Sequence, residues 1–334
     1  MAADPDRPDL HHYNIVIVIP AYRAEREVAG VVTSIPSFVR HIVIVNDGSP
    51  DQTAPTVEQL SKDDRRIILL NHEKNRGIGA AMVTGFRKAL ELSAQIVVKL
   101  DADGQMAPEG IAELVEPLLL GQADLAKGNR FRGYLSLGQM PFIRRLGNTG
   151  LAFLAKAATG YWNCFDPTNG YIAIRGDLLQ RLPLNRLDSS YFFEISLLSE
   201  MYLLEAVVGE IPMPARYGEE TSSLSIGKAL IAFPPKLLRI LVRRILLKYF
   251  VHDFSVASMY LATGLPLLLF GVGFGGYNWF HYSQLGIVTP TGTVMLATLP
   301  VILGFQLILS AIGLDIQSVP KDPLGRPPRP HSSE

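Results

Sequence analysis

The sequence has little cysteine, little charge and no excess of either sign. Its single cysteine, Cys164, excludes a disulfide framework within the chain and a structural zinc site made of several cysteines. Charged residues make up 19% of the chain, below the roughly 25% of ordinary soluble domains. The 31 lysines and arginines balance the 31 aspartates and glutamates, so no global charge points to nucleic acid as a partner. The low charge indicates contact with a membrane.

Short apolar, β-branched runs alternate with helical patterns in the first half of the chain. The runs cover residues 15–19, 42–45, 67–70 and 96–100, with a weaker fifth at 123–126. Strands that alternate with helices predict a mostly parallel sheet covered on both faces. Ligands of such sheets bind at the carboxyl ends of the strands, which is where the polar motifs of this sequence fall.

Two long apolar runs lie near the C-terminus, at residues 254–276 and 293–314, and neither contains a charge. Each exceeds 20 residues and can cross a hydrocarbon core of about 30 Å. The alternative is a pair of buried core helices in a soluble domain. Basic residues flank the pair on both sides, whereas residues 277–292 contain no lysine or arginine. The positive-inside rule therefore places both ends of the chain in the cytoplasm.

Apolar and basic residues interleave at helical spacing over residues 228–250, with a break at Pro234-Pro235. This pattern predicts one or two amphipathic helices on an anionic membrane surface; a soluble surface helix is the alternative. The N-terminus is polar and has no apolar core like that of a signal peptide. The predicted organisation is a flexible N-terminus at 1–13, an α/β domain at 14–225, amphipathic juxtamembrane helices at 226–252, two transmembrane helices at 253–315 and a disordered tail at 316–334.

The strongest chemical motif is Asp101-Ala102-Asp103-Gly104-Gln105, directly after the fourth apolar run. Two carboxylates around one small residue suit a hard cation such as Mg²⁺ or Mn²⁺, and Gln105 is a third candidate ligand. The cation would bridge the diphosphate of a nucleotide sugar. An isolated motif of this kind is weak, because loops also use aspartate to form turns.

Polar segments also follow the first three runs. Pro20, Tyr22 and Glu25 come after the first, and Tyr22 could stack on a base or simply pack. Asp47 follows the second run and is either a ligand of the base or ribose or a turn former. Gly77 lies in N-R-G-I-G-A-A after the third run, which we interpret as a close helix–strand approach near a nucleotide and not as an NAD site.

The order of these motifs, PAYxxE, NDGSxD, NxGxxA, DADGQ and a later G-x-R, resembles glycosyltransferase family 2 over about residues 14–225. The resemblance is to the dolichyl-phosphate mannose synthase type and to bacterial polyprenyl-phosphate glucosyltransferases. The two apolar runs match the membrane-anchored branch. The resemblance implies an α/β fold with a GT-A-like, Rossmann-type nucleotide-binding domain.

The resemblance also implies roles for further residues. Asp103, Arg130 and Glu194 would be catalytic, and Pro20, Tyr22, Glu25, Asp47, Gly77, Asp101 and Ala102 would bind the nucleotide. The acceptor phosphate would contact Arg145, Arg216, Ser223, Lys236 and Arg239. Arg145 precedes a helix expected to begin near Leu146, and Arg144 beside it leaves the register open. Asp166–Tyr171 resembles a loop that closes on donor and acceptor.

The resemblance implies an inverting transfer of a hexose from a UDP- or GDP-linked sugar to undecaprenyl or dolichyl phosphate, with Mg²⁺ or Mn²⁺ as cofactor. The enzyme would be an integral membrane protein, in the inner membrane of a prokaryote, with a cytoplasmic catalytic domain. Two alternatives stay open: a polysaccharide synthase, and a membrane-tethered nucleotide-sugar-binding protein without catalysis. Glycines 271, 273, 275 and 276 would also permit helix contacts in a homo-oligomer.

Overall fold

The computed structural model of the chain describes residues 8–130, 142–213 and 226–329, with residues 142–149 and 226–231 described as helix backbone only. The chain divides into two compact units. The first comprises residues 1–241 together with 320–334, and the second comprises residues 242–319. The juxtamembrane segment predicted at 226–252 is therefore split between the two units.

Over the described residues, the first unit contains a seven-stranded sheet in the order β3-β2-β1-β4-β6-β5-β7. The strands are β1 Ile15–Ala21, β2 His41–Asn46, β3 Ile67–Asn71, β4 Ile96–Lys99, β5 Leu125–Asn129, β6 Ile172–Arg175 and β7 Val208–Pro212. Strands β1 to β4 pair in parallel, whereas β6 lies antiparallel between β4 and β5. The five predicted strands are confirmed, with β5 two to three residues later than expected; β6 and β7 were not predicted.

Helices form where apolar residues recur at helical spacing. They are α1 Val28–Thr33, α2 Thr53–Asp63, α3 Ile78–Glu91, α4 Ile111–Leu119, α5 Phe142–Thr159, α6 Gly176–Arg181, α7 Phe193–Leu203 and α8 Ile226–Leu246. The alternating isoleucines of β1 and β2 pack with α1 and α4 in one core cluster. On α3, Gly85 lies against Val18 of β1, where a Cβ would overlap the valine side chain. Gly85 lies after the glycine-rich segment at 75–81, so this contact does not test the helix–strand approach predicted for that segment.

Helix α7 is buried on all sides from Phe193 to Tyr202. It packs with the end of α5 and the first half of α8 in a second cluster, which includes Phe192, Phe233 and Leu237. The predicted break of α8 at Pro234-Pro235 is wrong, because one helix runs through both prolines. A proline removes a backbone hydrogen bond, but burial of Phe233 and Leu237 on either side keeps this segment helical.

Residues 320–329 lie against the first unit, so the prediction of a disordered tail at 316–334 is wrong for this stretch; residues 330–334 are outside the described residues. The backbone N–H of Leu324 donates to both oxygens of Asp124, at 3.0 Å each. The Arg175 guanidinium donates to the carbonyls of Gly325 at 3.3 Å and Arg326 at 2.9 Å. Asp124 and Arg175 are buried and joined by an ion pair of 3.2 Å. These four hydrogen bonds to Asp124 and Arg175 hold residues 324–326 in place.

The second unit contains two long apolar helices, α9 Val256–Leu285 and α10 Thr291–Gln317. Both are long and apolar enough to cross a membrane, with mean hydropathies of 1.7 and 2.1. They are longer than the two apolar runs, so most of residues 277–292 between those runs is helix. Gly271 and Gly275 lie against α10, whereas no atom lies within 4 Å of the Cβ positions of Gly273 and Gly276. Two of the four glycines therefore serve the hairpin itself.

A buried ion pair joins the end of α8 to the end of α10 within the second unit. The Arg244 guanidinium binds both oxygens of Asp315, at 2.7 and 3.0 Å. The Tyr249 hydroxyl, in the π-helical turn Leu247–His252 that follows α8, donates to the same carboxylate at 2.5 Å. Arg244 is only 2% exposed, so it is not one of the cations that face an anionic surface.

The docked tail predicts a stability effect. Removing residues 324–334 deletes three partners of the buried Asp124–Arg175 pair, and each lost hydrogen bond to a charged group costs about 1.5–3 kcal/mol. We expect a clear fall in the melting temperature of the full chain in detergent. The control removes only residues 330–334. Equal melting temperatures for both truncations would contradict the docking.

Candidate active site

The site lies at the carboxyl ends of β1, β2 and β4. In the register of the sheet, Ala21 pairs with Asn46 and Val18 pairs with Lys99. The segments that follow these strands therefore emerge at one edge of the sheet. The three motifs that sequence analysis placed after the strands are brought to that edge, as predicted.

The carboxylates of the D-x-D segment are held in different ways. Asp101 accepts a hydrogen bond of 2.6 Å from the Lys99 amine, and its side chain is 23% exposed. Asp103 accepts a hydrogen bond from the Gln105 backbone N–H at 3.0 Å. Desolvation, together with the nearby Asp101 charge, raises the pKa of Asp103. A cation bound between the two carboxylates would offset the desolvation and the repulsion, because a nearby positive charge favours the charged form of a carboxylate.

Lys99 joins this segment to Glu194, the second residue of α7. Its side chain is 1% exposed, and its amine lies 3.3 Å from the Glu194 carboxylate. Burial alone would lower the pKa of Lys99, but Asp101 and Glu194 raise it. Sequence reasoning missed this residue, although a lysine within the apolar run IVVKL was a signal.

Arg130 is held by a loop that sequence analysis singled out. Its guanidinium binds both oxygens of Asp166, at 2.9 and 3.1 Å, and Asp166 is fully buried. Glu210 of β7 accepts the backbone N–H groups of Phe165 at 2.7 Å and Asp166 at 2.9 Å. The same glutamate accepts the Asn129 amide at 2.6 Å. Glu210, another residue that sequence reasoning missed, therefore ties β5, β7 and the Asp166 loop together beside Arg130.

Asp47 is 3% exposed and binds protein groups with both oxygens. It accepts the backbone N–H groups of Arg76 at 2.9 Å and Gly77 at 2.8 Å, and it lies 2.6 Å from the His72 ring. Its observed role is to hold the segment after β3; a direct bond to the nucleotide stays a prediction. Gly77 has a φ of +94°, and a Cβ there would overlap the Ser189 carbonyl. The partner of this segment is thus the loop before α7, and not a strand.

The segment after β1 borders an open cavity. Tyr22 is 43% exposed, and the Arg23 guanidinium lies 5.4 Å from its ring centre. Pro20 is buried within β1, and Glu25 accepts the Gln52 backbone N–H at 2.9 Å. A cavity of about 390 Å³ is lined by Arg23, Glu25, Arg26, Glu27, Pro50 and Asp51. Tyr22 is not among the residues that line this cavity, and its stacking on a base stays a prediction.

The predicted acceptor residues are only partly described. Lys236 binds Asp188 at 2.6 Å and the Ser190 hydroxyl at 3.2 Å, and Arg239 is exposed. Helix α5 already includes Phe142, so it does not begin near Leu146, and the backbone of Arg144 and Arg145 is helical. The side chain of Arg145, and all of Arg216 and Ser223, lie outside the described residues.

The donor set fits a divalent metal that also binds its substrate. Within the described residues, no group of three or more histidine, cysteine, aspartate or glutamate residues could hold an ion. Asp101 and Asp103 supply oxygen ligands only, and Mg²⁺ is commonly bound by one or two carboxylates plus substrate phosphates. Ala102 between them is buried, which fixes the direction of the loop.

A sheet of this order with acidic segments at its carboxyl edge defines a GT-A-like glycosyltransferase fold. Residues 16–182 match the family model described as glycosyl transferase family 2. The chain belongs to this family and is a glycosyltransferase.

Two curated relatives share about a third of their aligned residues with this chain. The UDP-N-acetylglucosamine–dolichyl-phosphate N-acetylglucosaminyltransferase of Methanococcus voltae is 34% identical over 161 residues, which are 44% of this chain and 64% of that protein. The polyprenol monophosphomannose synthase of Mycolicibacterium smegmatis is 33% identical over 193 residues, 54% of this chain and 69% of that protein.

One solved structure supports the fold. The glucosyl-3-phosphoglycerate synthase of Mycobacterium tuberculosis, in complex with Mn²⁺ and UDP-glucose, superposes with a TM-score of 0.53 at 22% identity. The superposition covers 70% of this chain and 79% of that one.

Proposed function

We propose that this glycosyltransferase moves a hexose from a UDP- or GDP-linked sugar to a polyprenyl phosphate, such as undecaprenyl or dolichyl phosphate, with inversion at the anomeric carbon. The observation that carries the proposal is the combination, in one chain, of the Asp101–Asp103 pair at the carboxyl edge with two apolar C-terminal helices. The names of the two relatives support a lipid-phosphate acceptor.

In the proposed reaction, an oxygen of the lipid phosphate attacks the anomeric carbon of the donor sugar. The bond from that carbon to the nucleoside diphosphate breaks, and the nucleoside diphosphate leaves with the bonding electrons. A phosphate monoester has its second pKa near 6 and is largely ionised at neutral pH. The attacking oxygen therefore needs no strong general base, and catalysis consists mainly of positioning and charge stabilisation.

The roles of the residues follow from this chemistry. Asp101 and Asp103 would hold Mg²⁺ or Mn²⁺, which when bound would neutralise the diphosphate as it leaves. Arg130, fixed by Asp166, would contact phosphate oxygens in a bidentate way. Glu194 would orient the acceptor, since its pairing with Lys99 favours an orienting role over proton removal. Tyr22, Glu25, Asp47 and Gly77 stay predicted nucleotide residues.

The basic acceptor residues stay predictions: Arg145, Arg216, Ser223, Lys236 and Arg239. Lys236 already has an acidic partner, Asp188. Burial would raise the pKa of Asp188, but the hydrogen bonds from Lys236 and Ser190 lower it. A lipid phosphate would thus compete with Asp188 for this lysine. Arg239 is exposed on the same helix and is therefore the more accessible residue for a lipid phosphate.

The metal assignment predicts that transfer stops in a chelator and returns with Mg²⁺ or Mn²⁺. Replacing Asp103 by asparagine should lower turnover at least about a hundredfold, the scale of losing one strong electrostatic stabiliser. The matched control is Asp63→Asn, which removes an exposed carboxylate at the end of α2. Full activity in a chelator would show that the metal assignment is wrong.

The acceptor assignment is tested with the purified full chain in detergent. Radiolabelled UDP-glucose, UDP-N-acetylglucosamine and GDP-mannose are each offered with undecaprenyl phosphate, dolichyl phosphate and the matching alcohol without phosphate. We expect transfer to at least one phosphate and none to the alcohols, because only the phosphate supplies an anionic nucleophile. Equal transfer to an alcohol, or a long polysaccharide product, would overturn the reaction class.

We also propose that the catalytic unit and both chain termini are cytoplasmic, since basic residues flank the two helices and residues 286–290 join them. Cys164 is buried, and burial raises the pKa of its thiol, so the native chain should label poorly. A cysteine at Gln284 should react with an impermeant maleimide in intact cells, whereas one at Lys321 should not. The reverse pattern would invert the orientation.

A further inference from the structure

Two lysines are buried beneath the site, side by side on one face of the sheet. Lys99 of β4 and Lys127 of β5 both pair with Ile172 of the antiparallel strand between them. Residues paired in register point to the same face of a sheet. The side chain of Lys99 is 1% exposed, and Lys127 is fully buried. A buried ammonium group is costly unless it is paired, so the partners of each lysine indicate its purpose.

The partners of the two lysines differ in kind. Lys127 donates to the backbone carbonyl of Asn169, and burial lowers its pKa. Lys99 binds two carboxylates that belong to different parts of the site, Asp101 at 2.6 Å and Glu194 at 3.3 Å. One lysine therefore supports a loop, and the other shares its charge between the D-x-D segment and the start of α7.

The loop before β6 covers the Lys99–Asp101 pair. A Cβ built on Gly170 would overlap the Lys99 amine and would lie 3.1 Å from the second oxygen of Asp101. A side chain at this position would push the amine away from its partners. The close approach of Gly170 helps to shield the Lys99 amine from water, which strengthens its electrostatic interactions.

We propose that Lys99 is a positioning residue whose one positive charge is shared between the metal-binding carboxylate Asp101 and the acceptor-side carboxylate Glu194. A divalent cation that arrives with the donor then replaces Lys99 in part as the counter-ion of Asp101. The inference rests on the proposed function, because it assumes the metal site at Asp101 and Asp103. Without the cation, Lys99 keeps Asp101 from being an unpaired, partly buried anion. With the cation bound, Lys99 interacts mainly with Glu194.

The proposal predicts opposite effects on folding and on metal affinity. In Lys99→Met the two carboxylates lose their shared counter-ion, so the chain should melt at a lower temperature than wild type in a chelator. The same change removes a cation that repels the metal, so Mn²⁺ should bind about tenfold more tightly. The measurement is the melting temperature of the full chain as a function of Mn²⁺, with saturating UDP, because a ligand of the folded state stabilises it.

The matched control is Lys127→Met, which removes an equally buried lysine from the same face. It should lower the melting temperature but leave the Mn²⁺ midpoint at the wild-type value, because its partner is a backbone carbonyl. A midpoint in Lys99→Met equal to wild type overturns the proposal. Equal shifts of the Mn²⁺ midpoint in both lysine variants also overturn it, because the shift would then follow from the loss of any buried positive charge.

A second variant covers the case in which Lys99→Met does not fold. Glu194→Gln leaves the whole charge of Lys99 to Asp101, so its Mn²⁺ midpoint should move to a higher concentration than that of wild type; an unchanged midpoint would overturn the proposal. If Mn²⁺ does not stabilise wild type at all, the metal assignment itself fails and takes this inference with it. That outcome differs from one in which wild type responds to Mn²⁺ and the variants respond identically.

Discussion

The site depends on the parallel pairing of β1, β2 and β4. Parallel strands all end at the same edge of the sheet, so strand pairing alone brings the segments after Ala21, Asn46 and Lys99 to that edge. The antiparallel strand β6 then brings the loop at Asp166–Gly170 to that edge from the opposite direction. The D-x-D segment, Arg130 and the Asp166–Gly170 loop thereby lie at one edge of the sheet.

Buried charge pairs join segments that are distant in the chain. Lys99 with Glu194 connects the end of β4 to the start of α7, Arg175 with Asp124 holds the C-terminal segment, and Arg244 with Asp315 closes the second unit. Such pairs contribute little net stability compared with apolar packing, but breaking one of them is costly. Their use at junctions favours a role in fixing geometry.

The repeating pattern of apolar runs was enough to predict β1 to β5, because burial on both faces leaves an uninterrupted hydrophobic signal. The two long helices were predicted from the length of their uncharged apolar runs. Strands β6 and β7 were missed: β7 carries Glu210 and ends in Pro212, and the apolar part of β6 is only three residues long. The D-x-D pair could be recognised from its position after a strand. The roles of Lys99 and Glu210 could not be recognised, because their partners are far away in the chain. Glu194 lies 95 residues from Lys99, and the partners of Glu210 lie 44 to 81 residues away, at Asp166, Phe165 and Asn129.

The most direct test of this account is an experimental structure of the full chain with Mn²⁺ and the nucleoside diphosphate product. The account predicts the ion at Asp101 and Asp103, the diphosphate beside Arg130 and the base near Tyr22. It also predicts that the Lys99 amine remains within hydrogen-bond distance of Glu194. An ion away from the two aspartates, or a nucleotide at the opposite edge of the sheet, would contradict it.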